Sequence, residues 1–217
     1  MKRIKTVLLL STLLSSSLFA EYHSNISEIT NNIKERMVKG DSWREGCPVA
    51  LENLRYLTMD YLNFNGEYQQ GEMIVHADVA DEVVAIFQDL YTMNYAINKM
   101  ELVSNYGAND WQSIESDNTS AFNCRAVTGK KKKWSKHAYG KAIDINPIAN
   151  PYISRSGHIS HEASKQYKNR KHKDIYNLAD RALLMPNDPA TKLFKSYGWK
   201  WGRDWNTIKD YQHFVKK

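Results

Sequence analysis

The sequence predicts a single α+β domain in which an antiparallel sheet is covered by helices on one side. Three observations predict it. Leu54 to Phe64 and Gly71 to Val75 are apolar runs with partial alternation, joined by the Asn65-Gly66 turn region. From Asp81, Val83, Ile86, Phe87, Leu90 and Ile97 make one apolar stripe at helical spacing. No internal repeat and no linker divides the chain.

The N-terminus reads separately from the fold. Met1-Lys2-Arg3-Ile4-Lys5 is a short basic start, and Thr6 to Phe19 is a hydrophobic and hydroxylic stretch ending at Ala20, which predicts a signal peptide over residues 1–20. Leu18 is not the small residue a cleavage site prefers, so a retained anchor is the alternative, although the apolar run is short for a membrane span. Residues 21–45 read as an N-terminal helical segment: Asn25 caps a helix with Glu28 three residues on, and Ile26, Ile29, Ile33 and Met37 repeat until Gly40 stops it. Residues 46–217 then form the main domain.

Asp81 is the expected cap of the second helix, and Met100 to Val103 is a further strand. Asn105 to Asn118 is polar and turn-rich, as a surface connection is. Phe122 to Val127 and Ala142 to Ile145 are strands flanking a lysine-rich turn. Ser154 to Lys173 is basic, contains histidines and lacks periodicity, which predicts a solvated insertion. Asp188-Pro189 opens a last helix with Leu193 and Phe194 facing inward and Gly198 as its stop.

Composition narrows the partners. The chain has 30 basic and 24 acidic residues, a formal charge of +6, and loss of Lys2, Arg3 and Lys5 with the leader lowers it to +3. That excess is too small for a dedicated nucleic-acid binder, and Lys130 to Lys133 read as a solvated hairpin tip. After cleavage no segment would insert stably in a membrane. Two cysteines in an exported protein predict one disulfide, Cys47 to Cys124; buried free thiols or metal ligands are the alternatives, the latter lacking the usual close spacing.

The chemistry concentrates in two segments, Ser135 to Asp144 and Asp210 to Phe214. Zinc ligands must lie ~2.0–2.2 Å from one ion, so their side chains must converge. His137 and Asp144 are seven residues apart, ~10.5 Å of rise on a continuous helix, and an odd offset on a strand sends them to opposite faces. The chain must therefore bend between them, and Tyr139-Gly140 is where it can. Asp210 and His213, three apart, can project to one side from a helical turn or a distorted strand end. A metal-binding histidine with a carboxylate aimed at the water such an ion activates is the minimum apparatus for hydrolysis. Arg125, between Cys124 and Ala126, is the candidate cation for a developing oxyanion.

The string Ser-x-His-x-x-Gly-x-Ala-x-Asp, followed later by an acid-x-x-His, resembles the zinc peptidases that include D-alanyl-D-alanine carboxypeptidases, vancomycin-resistance D,D-dipeptidases and certain phage endolysins. The longer match runs through Asn118 to Arg125, Ser135 to Gly140, Ala142 to Pro147, Asn150-Pro151-Tyr152, Gly198-Trp199, Trp201-Gly202 and Asp210 to Phe214, and resembles the exported carboxypeptidase/endopeptidase branch. The resemblance implies a hedgehog/D,D-peptidase-like fold whose central antiparallel sheet carries one zinc ion held by His137, Asp144 and His213. It also implies Asp210 as general base, Arg125 polarising the substrate carbonyl, and Ser135 hydrogen-bonding beside the site. The expected activity is zinc-dependent hydrolysis of an amide in the peptidoglycan stem peptide, by a monomer in the periplasm or extracellular envelope.

Two departures stand out: Arg203 where many members carry a second Gly, and the basic stretch 154–173. A cell-wall-peptide-binding module that keeps the zinc without turnover is the rival, and Asp210 weighs against it. His158 and His161 could form a second metal site but read as solvent-facing; His23, His76 and His172 show no partner pattern. Trp199, Trp201 and Trp205 could stack on a glycan or pack a C-terminal core.

Overall fold

The computed structural model describes residues 21–217 apart from residue 175, with the backbone alone at residue 131. The expected signal peptide lies outside the described residues. In chain order the elements are β1 (Ser24–Ser27), α1 (Asn31–Lys39), β2 (Leu54–Leu62), β3 (Tyr68–His76), α2 (Ala80–Thr92), β4 (Lys99–Met100), α3 (Asp110–Glu115), β5 (Asn118–Thr119), β6 (Ala126–Val127), β7 (Lys130–Trp134), β8 (Ala142–Asp144), β9 (Tyr152–Ile153), α4 (Leu178–Arg181), α5 (Pro189–Ser196), β10 (Lys200–Trp201), β11 (Lys209–Asp210) and β12 (His213–Val215). The class is α+β.

The sheet is divided. A three-stranded antiparallel sheet orders β1-β2-β3, and a second, shorter one orders β10-β12-β8. The remaining strands pair in twos, β9 with β11 and β6 with β7 antiparallel, β4 with β5 parallel. The long hairpin closes at Asn63 to Glu67, where the Asn63 carboxamide oxygen accepts the N–H groups of Asn65 and Glu67 and Gly66 takes φ +80°.

Helices cover both faces of that hairpin, not one. Leu57, Met59, Met73 and Val75 point to α2, whose Val83, Ile86, Phe87 and Leu90 join Ile143, Phe194, Trp201 and Phe214 in the main core. Leu54 and Ile74, on the opposite face, pack with Ile33 and Met37 of α1. Two covered faces explain why the alternation in these strands is only partial. Arg36 of α1 makes a two-pronged ion pair with Glu72 across that second interface, at 2.6 and 2.7 Å.

Several boundaries differ from the sequence reading. Asn25 caps no helix: Ser24–Ser27 hydrogen-bonds to the free edge of β2, and the cap is Thr30, whose hydroxyl accepts the Ile33 N–H. Asp81 sits in the first turn of α2 rather than at its cap, because a 3₁₀ turn over Ala77–Val79 leads into the helix and the His76 ring accepts the Asp78 N–H. Ile97 is buried but lies beyond the end of α2. The expected strands at 100–103 and 122–127 shrink to Lys99–Met100 and Ala126–Val127, and the 105–118 connection contains α3.

The basic stretch is more than a solvated insertion. Arg170, at φ +46°, donates to the carbonyls of Ala149 and Leu184 and to Asn150 Oδ1, and its guanidinium lies 4.4 Å from the centre of the Tyr211 ring. Burial lowers its pKa to about 10.

Cys47 and Cys124 are bonded, closing a 77-residue separation and tying the segment after α1 to the residue before Arg125. Chain entropy gives such a loop about 4 kcal/mol of stabilisation. We expect Cys47→Ser with Cys124→Ser to lower the urea-derived unfolding free energy by roughly that amount; a loss below about 1 kcal/mol would contradict the loop-entropy account.

Candidate metal centre

Two short strands set the geometry. In the antiparallel pair β8–β12, Asp144 is the register partner of His213, and Ile143 of Phe214. Alternation therefore puts Asp144 and His213 on one face and the fully buried Ile143 and Phe214 on the other. Phe214 stacks on Phe194 at 4.0 Å and lies 6.2 Å from Trp201 in near-parallel orientation, so the sheet is held from beneath by aromatic packing.

His137 arrives from a 3₁₀ turn, His137–Tyr139, that ends at Gly140 with φ +63°. The bend is enforced from outside: the His76 N–H donates to the Gly140 carbonyl at 2.9 Å, and a Cβ on Gly140 would come within 2.5 Å of the His76 nitrogen. Ser135 is buried and its hydroxyl accepts the His137 N–H at 3.3 Å, so it shapes the turn that presents the imidazole. His137 Nδ1 donates to the Ala121 carbonyl at 2.7 Å, which leaves Nε2 free of a proton when the ring is neutral.

The three candidate ligands converge. His137 Nε2 lies 3.2 Å from Asp144 Oδ2 and 3.3 Å from His213 Nδ1, and His213 Nδ1 lies 2.9 Å from Asp144 Oδ1. A tetrahedral ion with ligands at ~2.1 Å separates them by roughly 3.4 Å, so this spacing fits a metal. Among the described residues this is the group of metal-binding side chains that could hold one.

The electrostatics couple the three groups. Burial opposes charge on both His137 and Asp144, yet Asp144 raises the His137 pKa above that of an ordinary imidazole, and the two histidines hold the Asp144 carboxyl well below the usual range.

Asp210 ends β11, which pairs with β9 in the register Asp210↔Tyr152, and the chain turns through Tyr211 and Gln212 to reach His213. A strand end, not a helical turn, carries this pair. That turn is pinned by Trp201 Nε1 donating to the Tyr211 carbonyl and by the Ile145 N–H donating to that of Gln212. Gly202 presses against it, and a Cβ there would meet the Asp210 carbonyl at 2.7 Å and the His213 Cβ at 3.3 Å. Burial pushes the Asp210 carboxyl up to about 7; His213 pulls it down and Asp144 adds to the rise. Its Oδ1 is buried and lacks a hydrogen-bond partner among the described residues.

Arg125 pairs with Asp110, Nη2 to Oδ1 at 3.0 Å, and both charges are felt at His137 and Asp210. Neither Asp110 nor the Ala121 carbonyl was signalled by the motifs. A backbone acceptor has no side-chain signature, and Asp110 lies in a polar stretch with no pattern of its own.

The other candidates resolve into structural roles. Trp199 and Trp201 are core residues, whereas Trp205 is half-buried with its ring 5.4 Å from that of His213. His161 pairs with Glu115 and stacks on Trp111, while His158 is exposed. His23 pairs with Asp60, and His172 hydrogen-bonds to the Asp180 carbonyl.

Comparison with known proteins bears on one segment. No curated protein and no solved structure matches the chain. Residues 128–216 match the family model described as D-alanyl-D-alanine carboxypeptidase, a span that includes Ser135, His137, Asp144, Asp210 and His213 and begins three residues after Arg125. Over that segment, which holds both motifs, the chain is similar to the D-alanyl-D-alanine carboxypeptidase family.

Proposed function

We propose that the protein is a zinc-dependent peptidase that hydrolyses an amide bond in the stem peptide of peptidoglycan, outside the cytoplasm. The observation that carries the reading is the convergence of His137 Nε2, Asp144 and His213 Nδ1 beside the buried carboxyl of Asp210. Zinc suits two imidazoles and a carboxylate, and when bound it supplies Lewis acidity toward a carbonyl and acidifies water.

The residues divide the remaining work. Asp210 accepts a proton from the attacking water as the new C–O bond forms, then delivers it to the amine nitrogen as the C–N bond breaks. Its buried Oδ1, free of any hydrogen-bond partner among the described residues, supports this role, because that oxygen is unengaged and able to take the proton and return it. Arg125 donates to the carbonyl oxygen as negative charge builds there. The Ala121 carbonyl keeps His137 in the tautomer that presents Nε2, and Ser135 braces the turn that carries the ring. Export is supported by the disulfide, and no described helix is long and apolar enough to cross a membrane.

Asp210→Asn is expected to keep its metal and its melting temperature while kcat falls about 10²–10⁴-fold on purified muropeptides. An unchanged kcat would remove Asp210 from the mechanism. A zinc-loaded wild type that releases no new amino groups from peptidoglycan would favour the silent binding module.

Zinc binding should release protons. Because Asp144 raises the His137 pKa, the metal-free ring retains its proton closer to neutrality, and the ion must displace it. Affinity should therefore fall as the pH drops below 7. Calorimetric titration in two buffers of different ionisation enthalpy reads the proton count directly, and a count of zero at pH 6 would contradict this ligand set.

A further inference from the structure

Arg125 is already engaged before any substrate arrives. Its Nη2 donates to Asp110 at 3.0 Å, Nη1 reaches the Ala126 carbonyl at 3.4 Å, and Nε is buried with no partner among the described residues. The pair is braced on both sides. Asp110 is the first residue of α3, whose cap is Asn109 accepting the Gln112 N–H, and the preceding Ala108 carbonyl accepts from Asn123 Nδ2, two residues before Arg125. On the other flank the Ser135 N–H donates to the Arg125 carbonyl. Asp110 and Arg125 thus meet across a loop-to-loop contact that the backbone also holds.

This arrangement restricts what Arg125 can recognise. A carboxylate is gripped best by two parallel N–H donors on a guanidinium with charge to spare. Here one terminal nitrogen and much of the charge are committed to Asp110, and Asp210, whose carboxyl feels the Arg125 charge, adds a further acid nearby. A neutral carbonyl oxygen needs only one donor and suffers far less repulsion, and Nη1, held only by the long contact to the Ala126 carbonyl, can serve it.

We propose, resting on the peptidase reading above, that Asp110 is a positioning residue that holds Arg125 and sets the site against a free carboxylate beside the scissile bond, so that the preferred substrate is an internal amide of the stem peptide or crosslink. A chain whose last residue is to be removed would present that carboxylate, and is disfavoured.

The test compares two synthetic stem peptides that differ only in whether the residue after the scissile bond ends as a carboxylate or a primary amide. Zinc-loaded wild type is expected to favour the amide by about tenfold or more in kcat/KM. Asp110→Asn should reduce that preference about tenfold, chiefly by lowering KM for the carboxylate peptide, and Asp110→Glu should restore it. An equal change for both peptides, or a wild type that prefers the carboxylate, would overturn the proposal. Calorimetric binding of non-cleavable reduced-amide analogues of both peptides reads the same preference without turnover. If wild type hydrolyses neither peptide, the peptidase reading fails, while the analogue ratio in wild type and Asp110→Ser, expected to fall about tenfold in the variant, still decides the role of Asp110, even if Asp110→Asn does not fold.

Discussion

The candidate centre depends on the register of one short strand pair. Asp144 faces His213 only because β8 and β12 align Ala142 with Val215, and a slip of β12 by one residue would turn His213 into the core and bring Phe214 out. Three-residue strands cannot enforce that register alone. The aromatic layer beneath them does, since Phe214 fits between Phe194 and Trp201, and exposing one such ring would cost roughly 1.5–3 kcal/mol. The ligands thus inherit their precision from residues that never touch them.

A second constraint is the cost of concentrating polar groups in a dry place. His137, Asp144 and His213 are buried and lie within hydrogen-bond distance of one another. Asp210 has no such relief: its Oδ1 is unpartnered and its carboxyl is pushed toward neutrality by burial. A divalent cation nearby would lower that pKa again, because an adjacent positive charge favours the carboxylate. The arrangement is therefore poised, with the fold holding Asp210 in an environment that a bound ion would improve. Gly202 belongs to this design, since the close approach of its backbone leaves no room for Asp210 and His213 to relax away.

How much of this could be read from the residues varies with the kind of contact. The need for a bend between His137 and Asp144 followed from strand and helix periodicity, and Gly140 was the residue able to make it. The hairpin, the last helix and its glycine stop were legible because turn residues and apolar spacing mark them locally. The edge strand Ser24–Ser27 was not, because its residues also fit a helical pattern and only the unpaired side of β2 decides between them. Nor was the two-sided burial of the hairpin, since partial alternation in a strand does not say which element covers which face. Arg170 and Asp110 are charged residues in polar stretches, and a buried or committed charge looks the same in sequence as a solvated one until its partners are known.

Those two residues change the meaning of the elaborations around the site. Arg170 carries the end of the 154–173 stretch into the fold, satisfying the carbonyls of Ala149 and Leu184 while its face covers Tyr211, two residues from His213. Withdrawing it would leave buried acceptors unpaired just after the Asp144 strand and uncover the turn between Asp210 and His213. At its other end the same stretch places His161 on the exposed Trp111, at 3.9 Å between ring centres, and against Glu115, which fixes α3 and with it Asp110. The insertion is thereby fastened to both halves of the site, to the second motif through Tyr211 and to Arg125 through α3. Anchored at both points, the stretch cannot move independently of the Tyr211 turn or of α3, so its order and that of the groups beside the centre are coupled.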